Sequence, residues 1–372
     1  MSDSLAKHWK RLIVINIAFL AGYLIYKAIR DNPPYPYIHL LVDYHFGLTK
    51  RAFIGALISQ FMERVPVWMV FALGSAIIVI TFALYLRLFR KTFGFSNATA
   101  PLLVFIVGSP LFFKSFVQTI GYFDIYGCIL AIIVLLLPAR SFAFVAFAAA
   151  ASIFLVLIHH IHMLLYIPTI AAIVVMRYYL VKKVTVTKIA AGFTLACGIA
   201  AAFVAMQFSG NIDVSQQEFE RHILSRVGAG GEKAAPLTYA YVWFRTASEE
   251  ARDTWIMLPT NLKVLPFNIA LFALHIPLIR YFRDSVRALD SQLHRRLLLA
   301  AITAITLGYL VIFVTVFDYP RWLSNWAVCM VLILHAVKQL PASATVPPIA
   351  SDDKRTLAFG IVLTFIPRLA KF

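Results

Sequence analysis

Acidic residues are scarce in this chain. Only 17 of its 372 residues are Asp or Glu, against 34 Lys and Arg, and charged residues together make up 14%. That is about half the share of an ordinary soluble domain, and no segment is polar enough to fold as a soluble catalytic unit. Cysteine is rarer still. Cys128, Cys197 and Cys329 stand far apart inside apolar runs and form no CxxC pair, which argues against a disulfide framework. There is no internal repeat and no low-complexity tract.

What the chain has in abundance is apolar sequence: 61% of residues are hydrophobic and the mean hydropathy is +0.81. Apolar runs of roughly 17–25 residues recur along the whole length, as in polytopic helical membrane proteins. The runs lack period-2 alternation, and only helices or closed barrels satisfy their backbone groups in lipid, so helices are expected. The fold class is therefore all-α: a polytopic transmembrane helical bundle of about 10–11 spans, with interfacial helices in the outer loops. Spans are expected near 12–29, 65–87, 99–113, 120–138, 142–158, 160–176, 188–207, 264–282, 297–316, 322–337 and 356–367. Residues 1–372 then form a single transmembrane domain. Residues 30–64 make a first extracytoplasmic loop with an amphipathic helix, and 208–263 a long extracytoplasmic loop.

The net charge of +17 is explained by topology. With the N-terminus in the cytoplasm, inside segments receive Lys7, Lys10, Arg11, Arg87, Arg90, Lys91, Arg140, Arg177, Lys182, Lys183 and Lys188. They also take Arg280, Arg283, Arg287, Arg295, Arg296, Lys338, Lys354 and Arg355. Outer segments hold about half as many, which is the positive-inside bias. No nucleic-acid partner is implied. The basic start and apolar run of "MSDSLAKHWKRLIVINIAFLAGYLIY" are expected to act as an uncleaved signal anchor. The expected location is a bacterial inner membrane, with membrane lipids as neighbours.

Ionisable groups within or beside spans are costly and are functional candidates by default. Four clusters fall on the outer side under this one topology. "LVDYHFGLTKRAFIGAL" carries Asp43, His45, Lys50 and Arg51. "TIGYFDIYG" carries Asp124. "LIHHIHMLLYIP" carries His159, His160 and His162. "FDYPRWLSNW" carries Asp318 and Arg321.

In the first cluster Thr49 is expected to cap a helix whose first turn holds Lys50 and Arg51. Cations there are disfavoured by the helix dipole unless an anion docks on them, and free N–H groups and a guanidinium both suit a phosphate. Asp43 would stand beside that anion as a base. The alternative is an interfacial helix resting on phospholipid head groups, with Asp43 merely pairing Arg51. His159 and His162 share a helix face at a spacing of three. They fit neutral hydrogen-bonding groups for a sugar or phosphate, structural groups at a helix end, or two ligands of a divalent metal completed by Asp124 or Asp43. Asp318 and Arg321 fit a local ion pair, or a phosphate contact by Arg321 with Asp318 orienting it. Trp322 and Trp326 are expected in an interfacial belt. In the long loop, Ser215 and Glu218 match a capping box that opens a helix, and "VGAGGEKAAP" reads as a break.

A multi-span chain with an Asp in the first outer loop resembles the GT-C superfamily of membrane glycosyltransferases. Their first-loop acid acts as, or assists, the catalytic base. The resemblance covers layout rather than aligned sequence. Where part of that superfamily has paired acids, this chain has Asp43-Tyr44. "DYHFGLTKRAFIG", "IGYFDIYG", "IHHIHMLLYIP" and "FDYPRW" also resemble a group of bacterial membrane proteins associated with surface polysaccharides. The resemblance implies a polyprenyl-phosphate-sugar donor and a glycan or lipid acceptor. Asp43 would be catalytic, Lys50, Arg51 and Arg321 would bind phosphate, and His45, Asp124, His159, His162 and Asp318 would bind substrate. No cofactor is called for beyond the optional divalent metal. Competing classes are a surface-polysaccharide polymerase, a flippase or transporter of lipid-linked glycans, a His-dependent membrane acyltransferase, and a purely structural role. Transporters favour midplane charges and internal repeats, which this sequence lacks.

Overall fold

The computed structural model describes residues 3–30, 33–181, 184–316, 318–340, 349–350 and 353–369, without the side chains of Asp3, Ser4, Ala247 and Asn261. Lys182 and Lys183 lie outside the described residues. The chain is all-α. In order, α1 (Asp3–Arg30) leads into two short helices, α2 (Pro34–Leu41) and α3 (Phe53–Ser59), and then the long α4 (Trp68–Phe93). The short α5 (Ala100–Val107) and α6 (Lys114–Gln118) precede α7 (Asp124–Leu136) and α8 (Phe142–Ile158). A 3₁₀ turn, His160–Met163, opens α9 (Ile167–Val174), which ends in a π turn at Val175–Tyr179. After α10 (Val186–Ser209) the long loop forms α11 (Gln216–Ser225) and a 3₁₀ stretch, Pro236–Trp243. Next come α12 (Ala247–Leu262), α13 (Leu265–Ala273), α14 (Ile276–Arg287), α15 (Gln292–Thr315), α16 (Tyr319–Lys338) and α17 (Lys354–Phe365).

Among the described residues five helical segments are long and apolar enough to cross a membrane: Leu5–Arg30, Trp68–Phe93, His160–Tyr179, Val186–Ser209 and Gln292–Thr315. The bent pair α12–α13 makes a sixth if taken as one span. The chain is thus a multi-pass helical membrane protein. The apolar runs outnumber these segments because prolines and glycines subdivide several of them. In the run 99–113 the helix ends at Val107, just ahead of Gly108-Ser109-Pro110, and 264–282 is divided ahead of Pro277.

Burial sorts the helices as lipid would. Every residue of α5 is buried, and from Ala327 to Val337 only Met330 of α16 is not. Long α10, by contrast, exposes Val186, Phe193 and Val204. A helix apolar all round belongs in a core or in hydrocarbon, and an apolar surface this extensive requires a nonaqueous neighbour.

The two ends of the bundle differ. At one end cations cap helix carbonyls. Lys91 Nζ donates to Leu136 O (3.0 Å), and Arg177 donates to Val134 O and Leu137 O (2.7 and 2.8 Å), which closes the C-terminus of α7. At the other end the first loop and the long loop fold onto each other. Val65 and Val227 form a single β-bridge, Val65 N donates to Arg226 O, and Lys50 N donates to Gly210 O. The long loop follows its expected organisation. Ser215 Oγ accepts from Glu218 N at 3.2 Å and starts α11.

Close approach of α3 to the turn after α2 depends on Gly55. A Cβ there would lie 1.9 Å from Val42 O, a backbone atom that cannot step aside. Gly55→Ala is expected to cost about 3 kcal/mol through overpacking. Gly22→Ala, where nothing lies within 4 Å, should instead gain about 0.5–1 kcal/mol as an ordinary mid-helix replacement. Thermal unfolding of both variants in detergent checks the pair.

Candidate functional site

Helix α2 places Tyr35 and His39 one turn apart on one face. Tyr35 is the hub of the loop end. Its hydroxyl accepts from Arg51 Nη1 at 2.8 Å, and its ring meets His39 (4.5 Å between centroids), Tyr122 (5.3 Å) and Tyr239 of the long loop (5.2 Å). Tyr122 carries the contact on to Arg321, whose guanidinium lies 4.9 Å over its ring and 3.8 Å over that of Trp322. Three of the four sequence clusters meet here, and His162, bonded to Phe123 O, brings in the fourth.

Arg321 spends its charge inside the protein. Its Nε lies 2.8 Å from Asp124 Oδ2 and its Nη1 donates to Asp318 Oδ2 at 3.2 Å, with only 10% of the side chain exposed. Asn325 supports the pair: its Nδ2 donates to Asp124 (3.3 Å), and its Oδ1 accepts from Tyr166 OH (2.6 Å). Trp322 is fully buried here instead of lying in an interfacial belt. Asp318 is the more open of the two carboxylates, at 30% against 3% for Asp124.

Lys50 and Arg51 are different. Their partners are neutral: Lys50 Nζ donates to Asn211 Oδ1 (2.8 Å), Arg51 donates to the Tyr35 hydroxyl, and neither pairs with a carboxylate among the described residues. Burial first, and then the charge of Arg51, holds the Lys50 ammonium below the ordinary lysine value. Trp243 Nε1 donates to Lys50 O (2.8 Å) and fastens the turn beneath the long loop.

The expected capped helix is not what carries these cations. Thr49 Oγ1 donates to Gly47 O, and α3 begins only at Phe53, because Arg51 adopts φ +63°. A left-handed residue cannot sit in a right-handed first turn. A side chain held in that region stores strain, which is most common where function requires it.

Asp43 pairs with Arg226 and not with Arg51. Its Oδ2 lies 2.9 Å from Arg226 Nη1, and its Oδ1 accepts from His222 Nε2 and His45 N, each at 3.0 Å. Burial alone would raise this carboxyl's pKa, but the His222 and His45 hydrogen bonds and Arg226 bring it below the ordinary value. The His45 ring stacks on His222 at 4.3 Å. Arg226 also donates to Leu41 O (2.6 Å) and Gly55 O (3.4 Å). Asp43, His45, His222 and Arg226 thus form a latch between the two loops.

The histidines form the inner wall. His162 donates through Nε2 to Phe123 O at 3.2 Å, and the Nδ1 of buried His159 accepts weakly from Ile161 N at 3.4 Å. Both are buried. Among the described residues no three His, Cys, Asp or Glu gather in a way that could hold a metal, so the donors needed for the divalent-metal alternative do not assemble. His39 was not singled out from the sequence. It is 1% exposed, its ring stacks on Phe123 (4.6 Å), and neither ring nitrogen has a hydrogen-bond partner among the described residues. Burial first, and then the charges of Arg51 and Arg321, holds its imidazole well below the ordinary pKa and therefore neutral. Each buried unpaired polar group costs about 1–3 kcal/mol. The one hint in the sequence is a histidine spaced i, i+4 from Tyr35 in an apolar stretch.

Beside the Asp318–Arg321 turn lies an apolar cavity of about 380 Å³, walled by Trp255, Leu258, Leu265, Leu310, Phe313, Tyr319 and Leu323. No family model matches the chain, and no curated protein or solved structure matches it either. Fold and site together define a multi-pass helical membrane protein with a basic, aromatic cluster at one end.

Proposed function

We propose that this protein transfers a sugar from a polyprenyl-phosphate-linked donor to a glycan or lipid acceptor at the loop end, on the extracytoplasmic face of a bacterial inner membrane. The observation that carries the reading is the half-buried Lys50–Arg51 pair. Two adjacent cations whose hydrogen bonds among the described residues go to neutral groups, one of them at a strained φ of +63°, leave a charge that a phosphate can meet. Tyr35, Tyr122 and Tyr239 offer ring faces beside it for a sugar. The apolar cavity behind the Asp318 turn suits the isoprenoid tail. The Arg and Lys residues at the far end favour a cytoplasmic position for that end.

In the transfer, the acceptor oxygen attacks the anomeric carbon. The bond from that carbon to the phosphate oxygen breaks, and its electron pair stays on the phosphate. Lys50 and Arg51 stabilise the charge that develops there. Asp43 has both carboxylate oxygens engaged in the latch, so it positions the loops. Asp318, the most open carboxylate of the Arg321 network, takes the acceptor's proton. Asp124 and Arg321 orient it, and His159 and His162 support the inner wall.

The first test is binding. In lipid nanodiscs the wild type should bind a short-chain polyprenyl phosphate, measured by tryptophan fluorescence. Arg51→Gly should bind about 10- to 100-fold more weakly, the value of a hydrogen bond to a charged group. Its melting temperature should hold or rise, because glycine adopts a positive φ freely. Equal binding by the two proteins, or none by wild type, sinks the reading. Donors carrying labelled sugars then test transfer: release of polyprenyl phosphate is expected from wild type and not from Asp318→Asn. Movement of intact donor across a vesicle without release would favour a flippase, the alternative to which the 79° bend between α12 and α13 lends support.

A further inference from the structure

We infer that His39 is a direct ligand of the bound phosphoryl group, donating an imidazole N–H from beneath Tyr35 while Arg51 engages the group from the side. The inference rests on the phosphate reading above and adds a third contact to it. The side chain is 1% exposed, yet both ring nitrogens lack a partner among the described residues, although Tyr35, Phe123 and Trp243 surround the ring closely at 4.5, 4.6 and 5.7 Å. Those neighbours are ring faces and edges and leave the nitrogens unmet. Buried polar groups in folded proteins are nearly always satisfied, so an orphan pair of nitrogens calls for a specific partner. Arg51 is joined to the same Tyr35 through its hydroxyl, so a group that reaches Arg51 also reaches the neighbourhood of His39. A neutral imidazole has one N–H to donate, and beside the charge of Arg51 the ligand best suited to take it is one that accepts hydrogen bonds and carries negative charge. A phosphate ester does both.

The test uses the full-length protein in nanodiscs, with the same polyprenyl phosphate and, separately, inorganic phosphate in the buffer. His39→Phe keeps the ring stack and deletes both nitrogens. It should melt at or above the wild-type temperature, since it removes unmet polar atoms, and bind polyprenyl phosphate about 10- to 100-fold more weakly. His39→Gln retains an N–H donor and should keep most of the affinity. Unchanged binding by His39→Phe, a lowered melting temperature in that variant, or equal loss in Phe and Gln variants overturns the inference while the Lys50–Arg51 reading stands. Absence of binding by wild type overturns both. Inorganic phosphate should bind far more weakly than the lipid; equal affinity overturns assignment to a lipid-borne phosphate.

Discussion

Replacing Arg321 by leucine should cost about 3–5 kcal/mol, because it leaves Asp124 charged, buried and without its counter-ion. Asp124 is 3% exposed and would retain only the 3.3 Å hydrogen bond from Asn325. That single donor cannot replace the hydration a carboxylate loses on burial. The double variant Asp124→Leu/Arg321→Leu should recover most of the loss, since an apolar pair of similar size tolerates the same site. Asn325 stays satisfied in the double variant, because Tyr166 OH and Arg321 O remain its partners. Unfolding curves of both singles and the double in detergent give the coupling energy. A coupling under about 1 kcal/mol, the value of a surface pair, would mean that the pair does not hold the α7 and α16 turns together.

The second large effect concerns the latch. Asp43→Ala should leave Arg226, with 6% of its side chain exposed, bonded only to backbone carbonyls. Losing one partner of such a pair costs about 3–5 kcal/mol. The cost should appear as opening of the long loop, because the latch joins that loop to the first one. Amide exchange across α11 and the 3₁₀ stretch Pro236–Trp243 should accelerate about 150- to 5,000-fold, while the buried helices α5 and α16 stay protected. Uniform acceleration throughout the bundle, or none in the long loop, would reject a local latch.

The pH dependence of the latch has a definite sign. Asp43's pKa in the folded protein is lowered, so the unfolded chain binds its proton first as pH falls. The latch therefore contributes fully above the unfolded value of about 3.9, and its contribution is lost as pH falls through the lower folded value. Exchange in the long loop should rise below about pH 4 in wild type, and in Asp43→Ala it should already be high at neutral pH.

Much of the loop end was legible in the sequence. Asp43, Lys50, Arg51, Asp124, His159, His162, Asp318 and Arg321 were expected together because each stands at the same end of an apolar run. Arg51 does reach Tyr35, Arg321 reaches Tyr122, Asp124 and Asp318, and His162 reaches Phe123 O, while Asp43 is turned into the latch. The latch itself was not legible. His222 lies 179 residues from Asp43, on an amphipathic helix whose charges read as solvated, and nothing local marks them as partners. Arg51 was misplaced for a related reason. Thr49 followed by basic and apolar residues has the pattern of a capped helix, and only long-range contacts from Gly210 and Trp243 show the turn that is actually held. His39 was missed because an imidazole in an apolar stretch looks the same whether its nitrogens are met or unmet.

The sequence by itself determined that this is an all-α membrane protein and which helix ends carry its costly polar groups. Hydropathy and the rise per residue are properties of the chain in one dimension, and they suffice for that. Only the tertiary structure decided how the charges are used. Arg321 is neutralised by two carboxylates and Arg226 by Asp43, whereas Lys50 and Arg51 pair with no carboxylate among the described residues and hydrogen-bond to neutral groups. Coulomb energy and hydrogen bonding depend on separations of a few ångströms in space, and no spacing along the chain encodes which distant segment will supply the partner.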